Sequence, residues 1–246
     1  MDWTKAKTIL IIALLVSNVT IIVTYIFDLQ SKENVDENLI REILEDANVI
    51  IETELPDYPK RMAVLYVQPE HEDRKAVMKV LEAQTRADIS LSSESEIDAN
   101  IEAANRIMKE CGYLTKNTEL SLPTYEKNGE TLIKYRNVYD NIPIEESSII
   151  CAVKGGRVLS LEREWYSPVE LHDKRGEIMG ALEAMIMLLP DKDESETLII
   201  KGVELVYWVN SEGAGVESPV ADTALPAWKI TDSMGNDRYV TAYRQR

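Results

Sequence analysis

From Thr8 to Phe27 the chain reads TILIIALLVSNVTIIVTYIF, twenty residues without a charge. Wound as a helix at about 1.5 Å per residue, such a run covers about 30 Å, the thickness of a bilayer's hydrocarbon core. The apolar part of a cleavable export signal is shorter, about 7 to 15 residues. After Phe27 comes Asp28-Leu29-Gln30-Ser31-Lys32-Glu33, which lacks the small-residue Ala-x-Ala pattern that a signal peptidase reads, so the helix is expected to stay as an anchor. The competing reading is a buried helix of a soluble protein, which at this length would need a polar face, and no charged residue supplies one here. Lys5 and Lys7 stand just before the run and acids follow it. The positive-inside rule therefore puts the N-terminus in the cytoplasm and the rest outside the cell, a single-pass membrane protein with an extracellular C-terminal domain.

Four small or polar residues interrupt the apolar run on one face: Ala13, Ser17, Thr20 and Thr24, spaced four, three and four apart, with Asn18 beside them. Small residues let a second helix approach closely, and an interhelical hydrogen bond in lipid contributes about 0.5–2 kcal/mol. This stripe is a candidate contact for another transmembrane helix. The competing reading is that the hydroxyls bond back to their own helix backbone.

Met1 to Phe27 hold only Asp2, Lys5 and Lys7, so the remainder carries 25 basic against 42 acidic residues, a formal charge of −17. A surface of that sign repels nucleic acids and anionic head groups, and it serves solubility as well. Cys111 and Cys151 both fall in the external part, where a bridge is chemically permitted; two separately buried thiols are the competing arrangement.

The pattern after residue 34 alternates helices with strands. Asn34-x-x-Glu37 caps a helix carrying Val35, Leu39 and Ile43 and ending near Asp46. Val49-Ile50-Ile51 and Met62 to Val67 read as strands, the second stopped by Pro69. Val77, Val80 and Leu81 line a second helix. Ser95-x-x-Asp98 opens a third, with Ile97, Ile101, Ala104 and Met108 on one face and Gly112 ending it. Asn128-Gly129 and Gly155-Gly156 are two-residue hairpin signals, so a meander of strands is expected to run on to about Trp165. Ser167-Pro168 then looks like the start of a fourth helix, with Ile178, Leu182, Met185 and Leu189 as its apolar face up to Pro190. Strands are expected again at Leu198 to Val209, Ala227 to Thr231 and Arg238 to Tyr243. The expected class is α+β: an N-terminal transmembrane helix followed by repeated units of a helix packed on a mostly antiparallel sheet. The division is a tip at 1–7, the helix at 8–27, a membrane-proximal region at 28–94, and helix-plus-sheet units at 95–166 and 167–246.

Signatures of catalysis are missing from this sequence. It has no Cys-x-x-Cys or His-Glu-x-x-His, and its two histidines, His71 and His172, read as surface residues. Glu162 and Glu164 flank Arg163 on one strand and share a face, which suggests a pair of glycosidase acids, but charged strand residues look the same and the aromatic lining of a sugar cleft is sparse. Gly155-Gly156 is followed by no Lys-Ser/Thr and no helix, so it does not make a phosphate loop. Trp228 and Lys229, in Leu225-Pro226-Ala227-Trp228-Lys229-Ile230, form a candidate partner contact on a strand, weighed against a Trp buried in the core. Neither a cofactor nor a metal is expected.

Three stretches, MDWTKAKTILIIALLVSN, NVYDNIPIEESSIICAVKGGRVLSLEREW and LPAWKITDSMGNDRYVTAY, together resemble the YycI family. That resemblance implies a non-enzymatic, membrane-anchored regulator of the cell-wall two-component system of Gram-positive bacteria. It further implies an external domain of repeated helix-plus-sheet units, a YycH-like companion, and restraint of the sensor histidine kinase through contacts among transmembrane helices. The alternative from another functional class is an envelope-facing module that captures a peptide or wall fragment and uses the helix only as a tether.

Overall fold

The computed structural model describes residues 37–70, 73–84, 96–121, 124–125, 129–193, 196–209 and 222–244, together with positions 14, 17 and 18. These residues form a mixed α+β fold that is mostly sheet with few helices. The order is α1 (37–46), β1 (Val49–Ile51), β2 (Arg61–Glu70), α2 (Arg74–Ala83), α3 (Glu96–Glu110), β3 (Thr118–Leu120), β4 (Thr124–Tyr125), β5 (Thr131–Tyr139) and β6 (Ile142–Lys154). Then come β7 (Arg157–Glu177), α4 (Ala181–Ile186), β8 (Leu198–Val209), β9 (Asp222–Asp232) and β10 (Asp237–Thr241).

The strands make one sheet in the order β1-β8-β9-β2-β7-β6-β5-β3, with β4 on β5 and β10 on β9. All pairs are antiparallel except β1 with β8 and a single bridge from Ile144 of β6 to Tyr207 of β8. That bridge forms because β6 carries a bulge. Its register against β5 jumps from Ser148 to Ile144 around Glu146, whose φ is 61°; beyond the jump Ile142 to Ile144 stay paired with β5, and Ile144 also meets β8. The bulge is fastened by Asn137, whose Nδ2 donates to Ser147 Oγ at 3.2 Å and to Tyr166 O at 2.7 Å.

Two cores lie on this sheet. In the first, α3 packs on β5, β6 and the first half of β7, burying Ala104, Ile107 and Met108 against Ile133, Ile149, Cys151, Val158 and Leu161. The alanines at 103 and 104 bring the helix close to the sheet, and each fully buried Ile or Met contributes about 1.5–3 kcal/mol. Two amides pin the helices down. Asn100 donates to Thr131 Oγ1 and accepts the Gly156 N–H in the β6–β7 turn, while Gln84 bonds both backbone groups of Val158. The second core joins α1, α4, β1, β2, β8, β9 and β10 around Leu44, Leu65, Met185, Ile200, Trp228 and Ile230.

The hairpin signal at Gly155-Gly156 holds: the two have φ of 55° and 72° and separate Lys154 from its partner Arg157. Asn128 lies outside the described residues, and the pairing of Tyr125 with Thr131 leaves five residues between β4 and β5 where two were expected, with Gly129 at φ 71° among them. α2 and α3 form where the stripes place them, with Asp73 capping α2 through the N–H groups of Lys75 and Ala76. α1 is rolled by one residue: it buries Leu44 and leaves Leu39 and Ile43 exposed, because the core takes the adjacent 40/44 ridge. Pro69 does not stop β2. It stays in the ladder opposite Tyr166 of β7, next to the strand's last residue, Glu70.

The helix expected from Ser167 is the main correction. β7 continues to Glu177, and α4 covers only Ala181–Ile186. Residues 165–177 pair along β2, with register shifts on either side of Leu65 and Tyr66, and Pro168 falls opposite Val67 next to one of them. That ladder outweighs the local Ser-Pro helix-start signal. Cys111 and Cys151 keep separate thiols in the first core, and burial, followed by the neighbouring Cys111, pushes the Cys151 thiol up to about 12.

Gly176 marks a close approach: a Cβ there would meet the Tyr243 ring at 2.5 Å. Tyr243 in turn bonds Met62 O, and Ile178 bridges to it across the C-terminal strand. Gly176→Ala is expected to cost about 1–3 kcal/mol, lowering the thermal midpoint of the full chain by several degrees; an unchanged midpoint would show that the ring shifts without cost.

Candidate functional site

Trp228 is 0% exposed. Its indole N–H donates to Met179 O at 3.0 Å and Tyr58 stands edge-on at 5.3 Å, so it is a packing residue of the second core. Lys229, next along β9, points to the opposite face. There its Nζ meets Glu145 Oε1 at 3.0 Å and Asp237 Oδ2 at 3.1 Å. Burial works against its charge, but Glu145 above all, and then Asp237, hold its pKa above the usual lysine range. Beside it Tyr239 stacks on Trp208 with centroids 5.4 Å apart and planes within 8°. The tyrosine hydroxyl donates to the other oxygen of Glu145. This network ties the bulged start of β6 to β9 and β10. Arg136 does the same between β3, β5 and β8, bonding Glu119 and Glu204.

On the first core the informative residue is the one between the two glutamates. Alternation along β7 sends Glu162 and Glu164 to solvent, while Leu161, Arg163 and Trp165 face the core. Arg163 lies at the core's rim with its guanidinium carbon 4.5 Å from the centre of the Tyr113 ring and 5.4 Å from that of Trp165. Its Nη2 donates to Glu70, the last residue of β2, whose other oxygen accepts from the Ser167 hydroxyl. Burial opposes the charge on Glu70, yet the Ser167 hydroxyl and the guanidinium outweigh it and hold the carboxyl below its ordinary range.

Tyr113 is aimed by the end of α3. Gly112, at φ 73°, takes the left-handed position after the helix; its N–H reaches Lys109 O and the Tyr113 N–H reaches Met108 O, a Schellman closure. The loop so directed forms one wall of a cleft of about 410 Å³, bounded also by Thr115, Lys116, Asn117 and Pro168. A spacing rule could find Gly112 as a helix stop. It could not find the cleft, because Glu70, Tyr113 and Arg163 are far apart in the chain.

Among the described residues no group of His, Cys, Asp and Glu could hold a metal ion, and no helix is long and apolar enough to cross a membrane. Of the anchor stripe, Ser17 and Asn18 are helical and exposed. Ala13, Thr20 and Thr24 lie outside the described residues, as does His71.

The family model for the YycI protein matches residues 29–244. The chain belongs to the YycI family. Membership implies a regulator of the YycG/WalK two-component system. YycI proteins are a regulatory family, not known as enzymes. No curated protein matches the chain. Among solved structures it is similar to the Bacillus megaterium YpeB C-terminal domain, at 10% identity over 61% of this chain and 62% of that one, with a TM-score of 0.38. This YycI chain therefore spans less than two thirds of that structure.

The Lys229 network yields a stability prediction. Lys229→Met leaves Glu145 beside it as a mostly buried charge without its main partner, at a cost of about 2–4 kcal/mol. Lys229→Met with Glu145→Gln should recover part of that loss in urea unfolding; a double variant no more stable than the single one would show that the pair contributes nothing by itself.

Proposed function

We propose that this protein regulates the sensor histidine kinase of its two-component system from within the membrane, with residues 8–27 packing as a helix against the kinase's transmembrane helices. The external part, displayed outside the cell, adds contacts of its own. Membership of the YycI family is the observation that carries this reading. The uncharged twenty-residue run and its stripe of Ala13, Ser17, Thr20 and Thr24, with Asn18 beside it, support the choice of the helix as the contact. Such a regulator must bind one signalling state of the kinase better than the other, because equal affinity for both shifts nothing. A YycH-like companion sharing the same membrane assembly fits this arrangement.

Replacing Ser17 and Asn18 together by Leu keeps the run apolar and removes its hydrogen-bonding groups. Co-purification with the kinase should fall several-fold, in line with losing about 0.5–2 kcal/mol of interhelical bonding, and kinase output should move toward that of a strain lacking this protein. Unchanged association and output would reject the stripe as the contact.

A second reading is favoured by the Arg163 cleft: the external units capture a peptide or wall fragment and the helix serves as a tether. Exchanging residues 8–27 for an unrelated anchor separates the two. Lost regulation at normal surface display supports the helix, and retained regulation supports the external module.

A further inference from the structure

Arg163 is held more firmly than a structural ion pair needs and is satisfied less completely. Its side chain is 7% exposed, yet Nε has no hydrogen-bond partner among the described residues. A buried donor left unmatched is costly, and more so on a charged group. The side edge of a guanidinium, Nε with Nη2, is the edge that takes a carboxylate through two parallel N–H···O bonds. Glu70 uses only half of it. One of its oxygens accepts from Nη2 and the other is turned to Ser167.

The two partners also differ in freedom. Tyr113 and Trp165 hold the guanidinium flat, whereas the Glu70 side chain is 44% exposed at the end of its strand and can turn out to solvent. The cleft in front of them, about 410 Å³, lies within the range of small-ligand sites, about 300–1,000 Å³. Lys116 stands in its wall, so Arg163 and Lys116 against Glu70 leave one positive charge for an incoming group. Glu70 turned outward still stands at the rim of the cleft as a negative charge, and it repels a doubly charged phosphate more than a carboxylate.

We infer that this cleft binds a small carboxylate-bearing ligand, whose carboxylate takes both Nε and Nη2 of Arg163 and displaces Glu70, while Tyr113 and Trp165 flank the body of the ligand. Glu70 is then a built-in competitor that keeps the arginine paired when the cleft is empty. Two sources supply this chemistry, the free C-terminus of a short peptide and an acidic sugar. The inference gives the second functional reading a site and a ligand class. It rests on that reading only for its biological use: the anchor exchange tests the reading in cells and binding is measured on the purified protein, so either can fail alone.

The test uses the full chain in mild detergent, with the Trp165 indole resonance as reporter and calorimetry for affinity. The probes are N-acetyl-alanyl-alanine, its C-terminal amide, glucuronate and inorganic phosphate. A saturable shift is expected with the dipeptide acid or with glucuronate, and whichever binds names the source. The amide should bind at least tenfold more weakly than the acid. Glu70→Gln should tighten binding several-fold, because the competitor is gone; an arginine that only supports the fold predicts no such gain. Arg163→Lys keeps the charge, loses the planar edge and should weaken binding tenfold or more. Should Arg163→Lys fail to fold, Glu70→Gln decides alone. Absence of a saturable shift with both acids in the wild type and in Glu70→Gln, equal binding of acid and amide, or tighter binding of phosphate would each overturn the inference.

Discussion

The pairing of β7 with β2 is the constraint on which the rest of the molecule depends. At 21 residues β7 is long enough to serve both cores, with its first half under α3 and its second half along β2. No loop separates the two halves of the strand. The cores are therefore joined by a continuous backbone and by the same hydrogen-bonded sheet, and their relative placement follows from the twist and bulges of that sheet. The bulge at Glu146 and the register shifts around Leu65 and Tyr66 absorb the change of direction.

Polar groups are used at the seams of this arrangement in preference to its centre. Lys229 with Glu145 and Asp237, and Arg136 with Glu119 and Glu204, link strands that are distant in sequence where the apolar cores give out. The Arg163 cleft occupies a third such place, the rim where the loop after α3 meets β7 and the end of β2. It differs from the other two in having an aromatic clamp and an unmatched Nε. That combination separates a recognition edge from a structural tie.

Features encoded by a few adjacent residues were legible in the sequence. Gly155-Gly156, the Asp98 side of the α3 start and the Gly112 stop each act through local backbone preference, and each appears as the spacing suggests. The turn at Asp140-Asn141, with φ of 52° and 63°, was missed because neither residue is the glycine that usually marks such a turn. Ser167-Pro168 misled for the opposite reason: a good helix start was overridden by a strand partner about a hundred residues earlier. Trp228 beside a lysine on one strand suggested a joint contact, yet alternation puts the two on opposite faces and buries the ring. Arg163 was visible only as the charge between two glutamates, since its meaning comes from Tyr113 and Glu70, which only tertiary structure brings to it.

The two cores differ in how far apart in the chain their parts begin and end. The one under α3 is closed by residues between Val77 and Trp165, whereas its neighbour needs Leu44 and Val49 from one end together with Val240 and Ala242 from the other. A chain emerging N-terminus first can complete the former while β1 still waits for β8, some 150 residues later. Pairings of such long range form slowly. The portion adjoining residue 37 is thus the last to become whole, and until the final strand arrives its apolar ridge is left for a chaperone, or for its own later sequence, to cover.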